Sequence, residues 1–186
     1  MTEVVAVRAT PANRIRVVDT VVAAFAEDPA FHYFFDEPLF REQASVFAGY
    51  LFDRRVAHGN VWVVDGGISV SMWDSPASAN GPRSPLDLPT SVITRIEAFD
   101  AAVHHMLPAA PHWYLGVVAT HPAHAGLRWG RRTITAGLDE AKQAGLPAYL
   151  ETATAGNVDL YRRSGWSLAG QTKSPIPAWV MRFDPA

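Results

Sequence analysis

The stretch LETATAGNVDLYRRSGW, residues 150–166, decides the reading of this chain when taken with HPAHAGLRWGRR at 121–132. The first reads as a short buried strand, a turn and a helix, with Asn157 as N-cap and Gly165 just past the helix end. Tyr161, four residues after that cap, is expected on the face opposite Val158 and away from the last turn. The second stretch follows an apolar strand, carries Gly126 and Gly130, and opens another helix. Such a turn leaves backbone N–H groups free to hold an anion. The pair therefore sets an anion cradle beside a possible proton donor.

Working outward, strands and helices alternate along the whole chain. A first strand is expected at 4–8, then a helix from Pro11 to about Glu27 with Ile15, Val18, Val22 and Phe25 on one stripe, broken by Asp28-Pro29. The aromatic run Phe31, Tyr33, Phe34, Phe35 leads to a helix over 39–56. VWVV at 61–64 and ISVSMW at 68–73, joined by Asp65-Gly66-Gly67, read as a hairpin. Residues 74–89, rich in proline, read as a loop, and 90–106 as a helix. WYLGVVAT at 113–120 is expected to be a central strand buried on both faces. A helix over 127–143, with Leu127, Ile134, Leu138 and Ala141 inward, precedes the strands AYLE, WSLAG and PAWVMRF. One domain spanning 1–186 is expected, without repeat or linker.

Composition narrows the chemistry. With 48% hydrophobic and 18% charged residues over 186 positions, the chain is expected to bury a substantial core. A net charge of −2 argues against bulk attraction to nucleic acid. The clusters Arg54-Arg55, Arg128 with Arg131 and Arg132, and Arg162-Arg163 read singly as solvated helix faces, but the middle one adjoins the glycine loop. There is no cysteine, which excludes disulfides, thiolate metal sites and cysteine nucleophiles. No window has the apolar length of a membrane span, and MTEVVAVRAT has no signal-peptide pattern, so a soluble cytoplasmic protein is expected. His104, His105, His121 and His124 come without HExxH or acidic spacing, so no metal is expected. Gly165 to Gly170 approaches a nucleophile elbow, but the closing glycine is one residue late.

The element order, HWYLGVVAT running into HPAHAGLRWG, and LETATAGNVDLYRRSGW resemble the GNAT superfamily of CoA-dependent N-acyltransferases. The resemblance covers nearly the whole chain and is most specific over 112–170. It implies an α/β (α+β) fold: a central mixed, mostly antiparallel sheet of six to seven strands, flanked by helices and splayed between the fourth and fifth. It also implies acetyl-CoA as co-substrate and direct transfer to the amine of a small molecule. By position, Ala125, Gly126, Arg128, Gly130 and Arg131 would lie along the pyrophosphate, Val118, Ala119 and Thr120 along the thioester, and Asn157 on the pantetheine arm. The family pattern has glutamine or arginine at the place of Ala125 and glycine at that of Arg128, so the loop departs from it twice. Arg128 lacks the conformational freedom of glycine, although its guanidinium could contact phosphate directly.

Tyr161 takes the family's acid position, where a phenol of ordinary pKa about 10 protonates the departing thiolate. A base is less evident, because 113–120 has no carboxylate. His112, at the start of that strand, is the nearest group titrating near neutrality, and Glu151, Glu27 and Asp28 are the carboxylates to weigh. Phe31, Tyr33 and Trp73 fall on segments that line the family's acceptor pocket, which an aromatic lining would suit to a partly apolar amine. Two other classes stay open: a GNAT-fold enzyme that no longer uses acyl-CoA, and a non-catalytic small-molecule-binding module. No nucleic-acid or membrane partner is expected. A monomer or homodimer is, the latter by pairing of PAWVMRF.

Overall fold

A computed structural model describes residues 4–78 and 84–185, so positions 79–83 of the loop expected at 74–89 lie outside the described residues. Seven strands form one sheet: β1 (Val7–Arg8), β2 (Val61–Val64), β3 (Ser69–Asp74), β4 (Trp113–Thr120), β5 (Ala148–Thr152), β6 (Ser167–Thr172) and β7 (Ala178–Phe183). The order is β1-β2-β3-β4-β5-β7-β6, antiparallel throughout except for the parallel pair β4 and β5. The helices are α1 (Arg14–Ala24), α2 (Pro29–Phe34), α3 (Phe40–Val56), α4 (Thr90–His104), α5 (Trp129–Gln143) and α6 (Ala155–Arg162).

Alternation along the strands separates two cores. Val61, Val63, Val70, Met72, Tyr149, Ala178 and Val180 face a layer with α1 to α4. Trp62, Trp73, Ala148, Leu150 and Met181 face the other way, toward α5 and α6.

β4 changes sides midway. Met72 pairs with Val117 and Trp73 with Leu115, leaving Gly116 as the extra residue of a β-bulge. Trp113 and Leu115 therefore belong to the α5 side, whereas Val117 and Ala119 belong to the α1–α4 side. The expectation that β4 is buried on both faces is corrected accordingly: every second residue is buried and the intervening ones are half-buried.

Other departures have local causes. The first strand shrinks to two residues. The buried stripe of α1 runs through Val17, Thr20, Val21 and the expected Val22, with Val18 and Phe25 packed partly buried against the same core, whereas Ile15 lies 83% exposed. The stripe hides from an apolar count because Thr20 is polar; its hydroxyl donates to the Gly67 carbonyl at 2.7 Å and so stays satisfied when buried. The aromatic run is itself helix α2, begun by Asp28, whose carboxylate accepts from the backbone N–H groups of Ala30 and Phe31 at 2.9 and 3.1 Å. Leu127 is exposed and precedes α5. β7 lies between β5 and β6, with both edges paired, so it is not a free edge for a second copy.

Candidate active site

β4 and β5 pair from Trp113↔Ala148 to Leu115↔Leu150 and then part. The bulge at Gly116 begins where the pairing ends. Beyond it, β4 stays bonded to β3 and presents its other edge to the opening. A cavity of about 600 Å³ fills this splay, within the range of small-molecule sites. Its walls include Val118, Ala119 and Thr120 from β4, Glu151 from β5, Asn157 and Tyr161 from α6, and Phe31 from α2.

Tyr161 is buried in the last turn of α6, on the same face as Val158, with its ring edge-on to Trp166 at 6.0 Å between centroids. The expectation that it would oppose Val158 is corrected: residues three apart share a helix face. Burial and then the charge of Glu151 push its phenol up to about 12, so it stays protonated at neutral pH.

Asn157 is not the N-cap. The helix starts at Ala155 with Thr154 as cap, and Asn157 lies in the first turn, its Nδ2 donating to Thr152 Oγ1 at 3.3 Å.

Glu151 accepts a hydrogen bond on Oε2 from the buried phenol of Tyr114. Burial pushes its carboxyl up to about 7. Asp100 adds to that rise, while the Tyr114 hydrogen bond and Arg55 oppose it. Nearby, Arg54 and Arg55 both bind Asp74, at 2.8 and 2.6 Å. Burial alone would raise the Asp74 carboxyl, but the Arg55 and Arg54 charges outweigh it and hold it below its ordinary value. This buried ion triad was not anticipated from sequence, although Arg54-Arg55 had stood out as a basic cluster. Arg55 lies against Gly116, where a Cβ would sit 2.5 Å from its Nη2, so the bulge glycine makes room for the guanidinium.

Several expected site residues lie elsewhere. His112 is at the closed end of β4, its Nδ1 hydrogen-bonded with the Ala110 carbonyl at 2.8 Å and its ring edge-on to Tyr149, and it does not line the cavity. Tyr33 projects off the inward face of α2, which Phe31 and Phe34 occupy, and is absent from the cavity wall. Trp73 is fully buried on the opposite face of the sheet, against Gly137 of α5, its Nε1 donating to Ser71 Oγ at 3.1 Å. Strand alternation decides this: Met72 and Asp74 face the α1–α4 side and Trp73 cannot.

The loop of Ala125, Gly126, Arg128, Gly130 and Arg131 runs past the end of β4 into α5. Gly126 has φ +83°, and Arg128, the N-cap, adopts the left-handed conformation at φ +59°, ψ 20°. This corrects the expectation that an arginine would forgo the glycine conformation there. No side chain caps α5, so its first-turn N–H groups stand as at any uncapped helix start. A Cβ on Gly130 would lie 3.2 Å from Thr120 Oγ1, which keeps the helix start close to the splayed strand. Arg128 and Arg131, with Arg132, line a shallow depression beside this turn.

Residues 90–166 match the model of the Acetyltransferase (GNAT) family. Over its full length the chain is similar in fold to a Corynebacterium glutamicum protein described as histone acetyltransferase HPA2 and related acetyltransferase. That pair shares 24% identity, with a TM-score of 0.70 over 100% of this chain and 98% of the other. The C-terminal condensation domain of Ebony, in complex with beta-alanyl-dopamine, gives 0.74 at 13% identity over 99% and 100%. A Drosophila melanogaster polyamine N-acetyltransferase that forms N-acetylagmatine gives 0.69 at 12% identity over 98% and 100%. Residues 90–166 thus match the GNAT acetyltransferase family, and the chain as a whole has the splayed mixed-sheet fold of these structures.

Proposed function

We propose that this chain transfers an acetyl group from acetyl-CoA to the amine of a small molecule, directly and within a ternary complex. The observation that carries the reading is the convergence, in one cavity, of the freed β4 edge at Val118 to Thr120 with the protonated phenol of Tyr161. Backbone N–H groups on that edge would polarise the thioester carbonyl as fixed dipoles. The phenol would protonate the departing thiolate. The uncapped start of α5, with the turn set by Gly126 and Arg128 and the Arg131 charge beside it, suits the pyrophosphate of CoA. A chain without cysteine cannot pass through an acyl-cysteine, which supports direct transfer.

The acceptor side combines the rings of Phe31, Phe34 and Phe47 with the carboxyls of Asp100 and Glu151. Apolar walls with a few carboxylates suit a small primary amine on an aromatic or aliphatic body. The ligand of the Ebony domain and the product of the Drosophila enzyme are both small amine derivatives, which supports the same class. No described helix is long and apolar enough to cross a membrane. We take the protein to act in the cytoplasm, as monomer or homodimer, without metal, nucleic acid or membrane.

The test is titration calorimetry with acetyl-CoA, with desulfo-CoA as control for thioester contacts, followed by a panel of arylalkylamines, alkylamines and polyamines scored for CoA release. Micromolar binding and turnover with one amine class are expected. Binding of an amine without turnover would indicate a binding module, and no affinity for acetyl-CoA would end the acetyl-transfer reading.

A further inference from the structure

Resting on the acetyl-transfer reading above, we propose that Glu151 takes the proton of the acceptor amine, with Tyr114 as the positioning residue that fixes its carboxyl. β4 supplies no carboxylate, and the structure replaces it across the strand pair. Tyr114 pairs with Tyr149, and Glu151 lies two residues farther along β5 on the face of Tyr149. The Tyr114 phenol thus reaches diagonally to Glu151 Oε2 and donates to it. This happens just below the Gly116 bulge, where the strands part and the cavity begins.

Three of the other candidate acids and bases are committed elsewhere. Asp28 caps α2 through two backbone N–H groups. Asp74 binds Arg54 and Arg55. His112 lies outside the cavity. The groups that act on Glu151 come from three other elements, Tyr114 on β4, Asp100 on α4 and Arg55 on α3, and the charge of Glu151 acts in turn on Tyr161 of α6. His104 of α4 stands beside Tyr114, their ring centroids 6.2 Å apart. Burial and Asp100 leave the Glu151 carboxyl titrating near neutrality, the range in which a carboxylate both accepts a proton and releases it.

The step balances as follows. The acceptor arrives as an ammonium and gives one N–H proton to Glu151. The freed lone pair forms the C–N bond at the thioester carbonyl carbon, and the C–S bond breaks with its electron pair on sulfur. Tyr161 gives its proton to sulfur and regains one from the new amide nitrogen. Glu151 returns its proton to solvent, so one proton is released per amide formed.

The experiment measures kcat/KM for 2-phenylethylamine, or for the best amine of the panel, against pH from about 6 to 9 in wild type, E151Q, Y114F and D100N. E151Q should lower kcat/KM at neutral pH by about 100-fold or more, leave acetyl-CoA binding by calorimetry unchanged, and recover as rising pH deprotonates the amine. The acid limb of the wild-type profile should move up in Y114F, which loses a donor to the carboxylate, and down in D100N, which loses a like charge. A merely structural pair would not shift that limb in opposite directions. E151Q turning over like wild type, or limbs that stay put, overturns the assignment and leaves acetyl transfer intact. Wild type that binds acetyl-CoA and acetylates no amine of the panel removes the transfer reading, and the assignment falls with it.

Discussion

Under α5 and α6 the sheet buries Trp62, Trp73, Trp113 and Trp166, a layer without a buried charge among the described residues. Under α1 to α4 it buries phenylalanines, and in the same layer Arg55 and Asp74. Both layers are well packed, and the second opens into the cavity of about 600 Å³. The difference originates in β4, where Gly116 turns the strand over: Trp113 and Leu115 seal the first face, while Val117 and Ala119 floor the second. One bulge therefore serves both faces, closing one and freeing a strand edge on the other.

The sharpest way to break the open face is D74N. It leaves the Arg55 guanidinium, 4% exposed, without its counter-charge. A loss of about 3–5 kcal/mol is expected, read by urea unfolding with an unchanged m-value. The sign with pH is set by the lowered carboxyl of Asp74. Its contribution is complete above the unfolded pKa and is lost as pH falls through the folded value. Stability of wild type and D74N should therefore converge in acid.

The closed face breaks at Gly137, where a Cβ would fall 2.2 Å from the Trp73 indole. G137A should cost about 2–3 kcal/mol, even though alanine gains about 1 kcal/mol in helix propensity. Because Trp73 is fully buried it cannot swing aside. W73F should therefore relieve part of the clash, and the double variant should be less destabilised than the two single losses added together. Additive losses would show that α5 moves as a body instead.

Much of this architecture was legible because periodicity reports which residues are apolar and Gly and Pro report where elements stop. The Val61–Asp74 hairpin, α3, α4, β5 and the break at Asp28-Pro29 all follow from such signals. What a period cannot show is a change of phase. The Gly116 bulge inverts β4 within an unbroken apolar run, so WYLGVVAT reads as doubly buried. Trp73 likewise reads as an acceptor-pocket residue until the register places it under α5. Glu151 was visible as a strand-end carboxylate. Its partner Tyr114 lies 37 positions away, and only the parallel pairing of β4 and β5 brings the two together.

Glu151 also ties stability to pH in the sense opposite to Asp74. Its folded carboxyl titrates near 7, above its unfolded value, so its contribution is present in acid and is lost as pH rises through that point. E151Q removes the charge that burial disfavours. It should match wild type near pH 4 and exceed it by about 2 kcal/mol near pH 8, the full shift being reduced because water reaches the cavity. Equal stability at both pH values would mean that the carboxyl stays hydrated and that the open face imposes no burial cost there.

The smallest expected effect bears on the loop outside both cores. Arg128 holds φ +59°, a conformation costing a residue with a Cβ about 1–2 kcal/mol and glycine nothing. Glycine gives back part of that through a freer unfolded chain, so R128G should gain at most about 1 kcal/mol in the ligand-free protein. If the guanidinium also meets phosphate, the same substitution should weaken acetyl-CoA by about tenfold, the value of one charge-assisted hydrogen bond. Stability and affinity would then move in opposite directions, which is the mark of strain retained for binding. A variant that gains stability and keeps its affinity would show that the backbone turn alone serves the phosphates and that glycine can replace the arginine.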